Sequence, residues 1–255
     1  MQQGSGQDEP VLTTQMNESG EIMAMLPWQI EILRFSFLNM SSGIQNQDFG
    51  WSSLTSSEPE TVTEKRGLGV RTEEGPWLNG HLTVSKQHGR TDVIYSAGQQ
   101  ESPLPNAGSV NDIYEIFRTW YKRLGVIGAK RYGFGGVLLL PVESAAEGYT
   151  YLNRFLPFVM FESDMSDFFL QVNRKKQSDY GYRVNELSKW STINIKTIQV
   201  SDDGVSEEPA SIHALRLEFD INTAESSEAV DTTETAHVLE DLEARSLFVM
   251  ANGAV

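Results

Sequence analysis

With 255 residues, 39% of them hydrophobic and 10% aromatic, the chain can build the core of one large domain or two small ones and is not of a disordered composition. It holds no cysteine, which excludes disulfides, cysteine-bound zinc, iron–sulfur clusters and thiol nucleophiles. Its 35 acids against 20 bases give a formal charge of −15.

Residues 1–26 are rich in Gln, Gly, Ser and Glu without periodicity and read as a mobile N-terminal arm. No positively charged and then apolar leader pattern opens the chain. The longest apolar runs, 22–27 and 135–142, are too short to span a bilayer. The expectation is a cytoplasmic protein with no membrane contact.

From Pro27 the pattern becomes regular. Leu33, Phe35 and Phe37 alternate with Arg34 and Ser36, as in a half-buried strand. Residues 48–97 predict a β meander, with weak strand candidates at 48–54 and 67–72. Stronger ones at 80–86 and 90–95 flank a Gln87-His88-Gly89 turn. Residues 98–108, with two prolines and two glycines, form a loop.

Ser109–Leu124 carries the clearest helix pattern. Val110, Ile113, Ile116, Phe117, Trp120, Tyr121 and Leu124 share one face, and Ser109 with Asp112 resembles a capping box. Tyr132–Val142 predicts a buried strand stopped by Pro141. Ser144 and Glu147 form a second capping-box pattern before a short helix that ends at Pro157.

Strands are expected at 168–173, 182–200 and 211–221. In the last, Leu215, Leu217, Phe219 and Ile221 face one way and Arg216, Glu218 and Asp220 the other, with antiparallel pairing to 190–200. A final helix is expected from about Asp231 to Met250, with Gly253 behind it. Clustered strands and about three helices predict an α+β fold with mainly antiparallel sheet. It would be a single unit over 27–255, with two meander-plus-helix halves split near 125–130 as one arrangement the order allows.

Charge is distributed unevenly. Residues 201–255 hold 13 acids and two bases, a net of −11, and residues 1–200 are nearly neutral. The acidic segment repels phosphates and suits a basic protein partner. Against it stand Arg118, Lys122, Arg123, Lys130 and Arg131, a basic stretch that could contact nucleic acid, and the smaller cluster Arg174-Lys175-Lys176.

Motifs for chemistry are sparse. The four histidines share no metal-ligand spacing. There is neither a Gly-x-Ser-x-Gly elbow nor a phosphate loop ending in Gly-Lys-Ser/Thr. Gly133-Phe134-Gly135-Gly136 opens a strand, where close backbone packing or a bulge explains glycines better than a phosphate cradle does. Glu218 and Asp220, beside Arg216, are the candidates for a metal-dependent hydrolase or nuclease, although the lysine such nucleases carry after the acid pair is missing. A solvent-facing ladder of arginine and acids is the plainer reading.

The strand after Pro27, the helix leading to Arg131-Tyr132, and the run Leu217-Glu218-Phe219-Asp220-Ile221 ahead of a last helix bearing Phe248 together resemble a sporadically distributed, uncharacterised prokaryotic family of similar length. The resemblance covers roughly residues 27–252. It implies no activity and no cofactor, and suggests an accessory gene of mobile or defence regions. The leading expectation is a non-enzymatic interaction protein acting through an acidic C-terminal surface on a protein partner or a second copy. A metal-dependent hydrolase and a nucleic-acid binder are the alternatives.

Overall fold

The computed structural model describes residues 14–16, 22–24, 26–40, 50–100, 102–123, 129–162, 164–197, 210–225 and 235–255. Two short strands, β1 (Thr14–Met16) and β2 (Ile22–Ala24), pair antiparallel. The segment read as an arm therefore contains a small ladder.

The other nine strands form one sheet. They are β3 (Gln29–Leu38), β4 (Thr61–Lys65), β5 (Val70–Trp77), β6 (Gly80–Gln87), β7 (Arg90–Ala97), β8 (Arg131–Val142), β9 (Phe169–Gln177), β10 (Arg183–Thr197) and β11 (Ala210–Thr223). Their order is β4-β5-β6-β7-β3-β8-β11-β10-β9, and every pairing is antiparallel. The helices are α1 (Trp51–Thr55), α2 (Val110–Arg123), α3 (Ala145–Phe155) and α4 (Thr235–Asn252). The α+β class expected from the strand clustering is the observed one.

The chain runs twice through the same layout: a strand, a helix, a meander, a helix. In the first half the last meander strand, β7, returns beside β3. In the second, β11 returns beside β8. The two opening strands pair with each other, so β3 and β8 meet at the centre and the sheet passes unbroken through both halves.

One face of the sheet carries the core. Leu33, Phe35 and Phe37 from β3, Tyr132, Phe134, Leu138 and Leu140 from β8, and Leu215, Leu217, Phe219 and Ile221 from β11 all point to it. Strict alternation in the sequence produces this, since a period of two sends every second side chain to one face. α2 adds Val110, Ile113, Phe117, Trp120 and Tyr121, and α4 adds Val238, Leu239, Leu242, Val249 and Met250. Phe35 and Phe134 stack at 4.3 Å across the central strand pair, and Phe117 meets Phe35 edge-on at 4.9 Å.

Several local expectations change. The weak strand candidate at 48–54 overlaps the helix α1, whose Trp51 and Leu54 are buried while its polar residues turn outward. The candidate at 67–72 begins as a 3-10 turn, Arg66–Leu68, and becomes β5 only at Val70. β4 carries no apolar alternation and is exposed throughout, which is why its sequence gives no strand signal. Pro141 does not stop β8. It pairs opposite Ala214, beyond the last β3–β8 partners Gln29 and Leu139, where β8 has a strand neighbour on one side only. Ser144 caps α3 by accepting from the Glu147 amide at 3.2 Å, and Glu147 reaches back to the amide of Glu143 at 2.7 Å. The predicted start of the last helix at Asp231 lies outside the described residues, and α4 is seen from Thr235.

The glycines of β8 are demanded by close approach. A Cβ on Gly136 would stand 2.7 Å from Phe219 Cε1 and 2.9 Å from the Ile32 carbonyl oxygen. On Gly133 it would meet only ordinary contacts at 3.6 and 3.7 Å. Gly136→Ala is therefore expected to lower stability in a urea titration by about 1–3 kcal/mol through overpacking. Gly133→Ala should change it by less than about 0.5 kcal/mol.

Candidate functional site

Among the described residues all four helices lie on the core side, so the opposite face of the sheet is open. From Gly133 to Leu139, β8 crosses its middle with small or apolar side chains: Gly133, Gly135, Val137 and Leu139. The strands on either side carry the polar groups, and these join across β8.

Arg34 on β3 and Asp220 on β11 are both in register with Gly135, and their side chains approach to 3.9 Å over it. A Cβ at Gly135 would sit 3.8 Å from the Arg34 guanidinium and 3.0 Å from the Phe219 carbonyl. Arg216 likewise reaches over to Glu31 at 3.6 Å. A register shift between Ile30 and Ile32 makes this contact available, because Ile30 and Leu33 both face the core and Glu31 is left on the open side.

The next row is polar from strand to strand: Asn185, Asn222, Gly133, Ser36 and Asp92 are aligned across β10, β11, β8, β3 and β7. Asn185 donates to Asn222 at 3.1 Å, and Arg131 donates to the same Asn222 oxygen at 2.8 Å. Ser36 donates to Asp92 at 2.6 Å, and Arg90 grips Asp92 with two bonds of 2.5 and 2.9 Å. Towards the other end the same face turns apolar. There Leu104 from the loop after β7 covers Leu139 and Ala214, with half-buried Ile193, Ile195 and Ile212 around them.

Glu218 and Asp220 project together onto this face. Glu218 accepts from Lys189 at 2.5 Å and from Arg216 at 3.2 Å, and Asp220 accepts from Asn222 at 3.0 Å. Burial pulls the Glu218 pKa up, but the Lys189 and Arg216 charges outweigh it and hold the carboxyl below the usual range. The two acids are thus members of a cross-strand ladder, each already partnered. No group of three or more metal-ligating side chains occurs among the described residues.

Three of the five bases in the stretch 118–131 have partners within the fold. Arg118 binds Glu243, Lys122 binds Glu240 at 2.9 Å, and Arg131 donates to the Thr223 carbonyl and Asn222. Arg123 and Lys130 are exposed. Trp120 is buried in the core, not offered for base stacking.

The acidic segment is drawn inward by the same contacts. Glu243 is only 3% exposed and accepts from both Arg118 and the Tyr121 hydroxyl. Burial, and then that carboxylate, push the Tyr121 phenol far above its ordinary pKa, so it remains a donor. Asp241 holds Ser178, Tyr182 and Arg245, and Arg245 also holds Glu186 at 2.6 Å. The acids at 202–208 and 228–234 lie outside the described residues.

Reading single strands could find part of this face, since alternation assigns Arg34, Ser36, Glu218 and Asp220 to the polar side of theirs. Asp92 and Asn222 were missed, and Arg131 was placed only in the basic stretch. Nothing local tells that β3 and β11 flank the same glycine-bearing strand.

A cleft between β9, β10 and the C-terminal residues, lined by Arg174, Glu186, Phe248 and Ala254 among others, encloses about 10 Å³. That is room for one water, far below the few hundred Å³ of a small-molecule site. Compared with family models, curated proteins and solved structures, the chain matches none.

Two outcomes follow from these contacts. Arg118→Ala leaves the nearly buried Glu243 without its cation and should cost about 1.5–3 kcal/mol in denaturant unfolding, the range of a charge-assisted hydrogen bond. Glu73, buried below α1, resembles Glu218: burial raises its pKa, but the Trp51 amide, Arg71 and Lys86 bring the net value below normal. A carboxyl lowered in the fold contributes stability above its unfolded pKa of about 4.3 and loses it as pH falls through the folded value. The thermal midpoint should therefore hold down to about pH 5 and drop below about pH 4, with a shallower acid limb in Glu73→Gln.

Proposed function

We propose that the protein is a non-enzymatic interaction module, of an accessory or defence kind, whose working surface is the open face of its sheet and whose partner is a protein. One observation carries the reading: among the described residues a nine-stranded sheet covered by helices on one side only presents a broad surface with a polar, charged middle and an apolar end. Protein interfaces combine the same ingredients, a fixed polar array and adjoining apolar area.

The surface is also preorganised. Arg34, Arg216, Lys189 and Arg90 are each held by a carboxylate, so docking needs little side-chain ordering. The C-terminal segment contributes Arg216, Glu218 and Asp220 to this face. Glu240 and Glu243 of α4 serve its attachment to α2 and Asp241 its attachment to Ser178 and Tyr182, so the docking role expected of the acidic C-terminal surface passes, for the described residues, to β11. The pre-paired Glu218 and Asp220 speak against the hydrolase reading, and the engaged Arg118, Lys122 and Arg131 against the nucleic-acid reading.

The test is crosslinking pull-down from the source cell at low and high salt, comparing the wild type with Arg34→Gln/Arg216→Gln. Capture of a defined protein that falls several-fold with salt, as screening requires, and is lost in the double variant while its melting curve stays cooperative, is expected. Equal capture by both proteins overturns the surface, and salt-insensitive capture overturns its electrostatic part.

A further inference from the structure

We propose that β9 is the contact edge of a homodimer, in which two copies pair their β9 strands antiparallel about a two-fold axis at Gln171. Among the described residues β9 closes one end of the sheet and pairs only with β10. The amide of Thr192 donates to the Phe168 carbonyl at 3.3 Å. By antiparallel alternation, the main-chain groups of Leu170, Val172, Arg174 and Lys176 then face β10, and those of Phe169, Gln171, Asn173, Lys175 and Gln177 face outward. These five are also the exposed residues of the strand.

An edge with regularly spaced outward amides and carbonyls is a template for another strand. The two ends of the sheet differ in this respect. β4 has five residues and runs straight into a 3-10 turn. β9 has nine residues, no proline, and an unbroken register with β10. Beside it stand exposed apolar side chains, Phe169 at 64% and Phe158 at 52%, with Phe158 lying under Arg174.

Charge selects a second copy as the occupant. Exposed Glu162, Asp164 and Asp167 precede the strand, and exposed Lys175 lies near its far end. Antiparallel pairing of identical strands brings the acidic end of each to the basic end of the other. An axis at Gln171 sets Asn173 against the partner's Phe169 and Gln171 against the partner's Gln171, and brings Lys175 towards the end of the partner's strand that Asp167 precedes. No like charges oppose within the strand, and the contact is self-complementary, as a two-fold interface must be. The axis stands perpendicular to the sheet, so both open faces end on the same side and the surface proposed above is enlarged, not covered.

Because the chain has no cysteine, single-cysteine variants read the register directly. Gln171→Cys places two sulfurs across the axis at a main-chain separation of about 5.5 Å, within disulfide reach. Asn173→Cys faces the partner's Phe169 instead. Light scattering at tens of micromolar should give twice the 28.5 kDa chain mass. Mild oxidation should crosslink most of Gln171→Cys and little of Asn173→Cys. Gln171→Pro removes an outward amide that β10 does not use, so it should shift the mass to one chain with an intact melting curve. Lys175→Glu, which opposes like charges, should weaken the dimer at least tenfold. A wild type of single-chain mass overturns the proposal. So does a dimer that crosslinks at 173 and not at 171, or one that survives Gln171→Pro or Lys175→Glu unchanged.

Discussion

The antiparallel pairing of β3 with β8 is the contact on which the rest of the molecule depends. Each half of the chain supplies one of these strands as its opening element and folds its meander back onto it. Without the central pair there would be two sheets of five and four strands, each with another edge to protect. The pairing needs a strand that can be approached closely from both sides. β8 meets that need with Gly136, which the Phe219 ring overlies on the core side, and Gly135, over which Arg34 and Asp220 meet on the open side. The stacked Phe35 and Phe134 then fill the core between the halves. A glycine cluster that resembles a ligand loop in one dimension is a packing device in three.

Charge follows the same logic. Along the sequence the protein is polarised, with bases at 118–131 and acids after 201. In space these regions lie side by side, because α2 and α4 pack on the same face of one sheet, one from each half. Arg118 and Lys122 meet Glu243 and Glu240 there. Exposed ion pairs contribute little to stability, but Glu243 is buried and would be costly without its partners. The described acids of the last helix are thus structural, each held by a partner within the fold.

A long single sheet with helices on one side leaves two exposures to manage, a face and two ends. On the face, Arg34, Arg216 and Lys189 pair with carboxylates on other strands and Arg90 pairs with Asp92 on its own, which keeps it polar and ordered. Of the ends, β4 is short. β9 is long, and only Lys175 among its outward residues carries a charge.

The sequence alone determined the periodic elements. Strict alternation in β3 and β11 and the three-and-four spacing of α2 specify both the element type and its buried face, because those periods are properties of the backbone itself. It also determined the absence of cysteine chemistry. It did not reveal β4, whose residues are all exposed and leave no apolar rhythm, nor α1, whose two buried residues are too few to show a period. Only the tertiary structure decided which strands are neighbours. That choice gave Glu218 and Asp220 their cross-strand partners Lys189 and Arg34, and it brought Arg34, Ser36, Asp92 and Asn222 onto one surface. The physical reason is that the adjacency of β3, β8 and β11 arises from packing between residues far apart in the chain, and no local pattern carries that information.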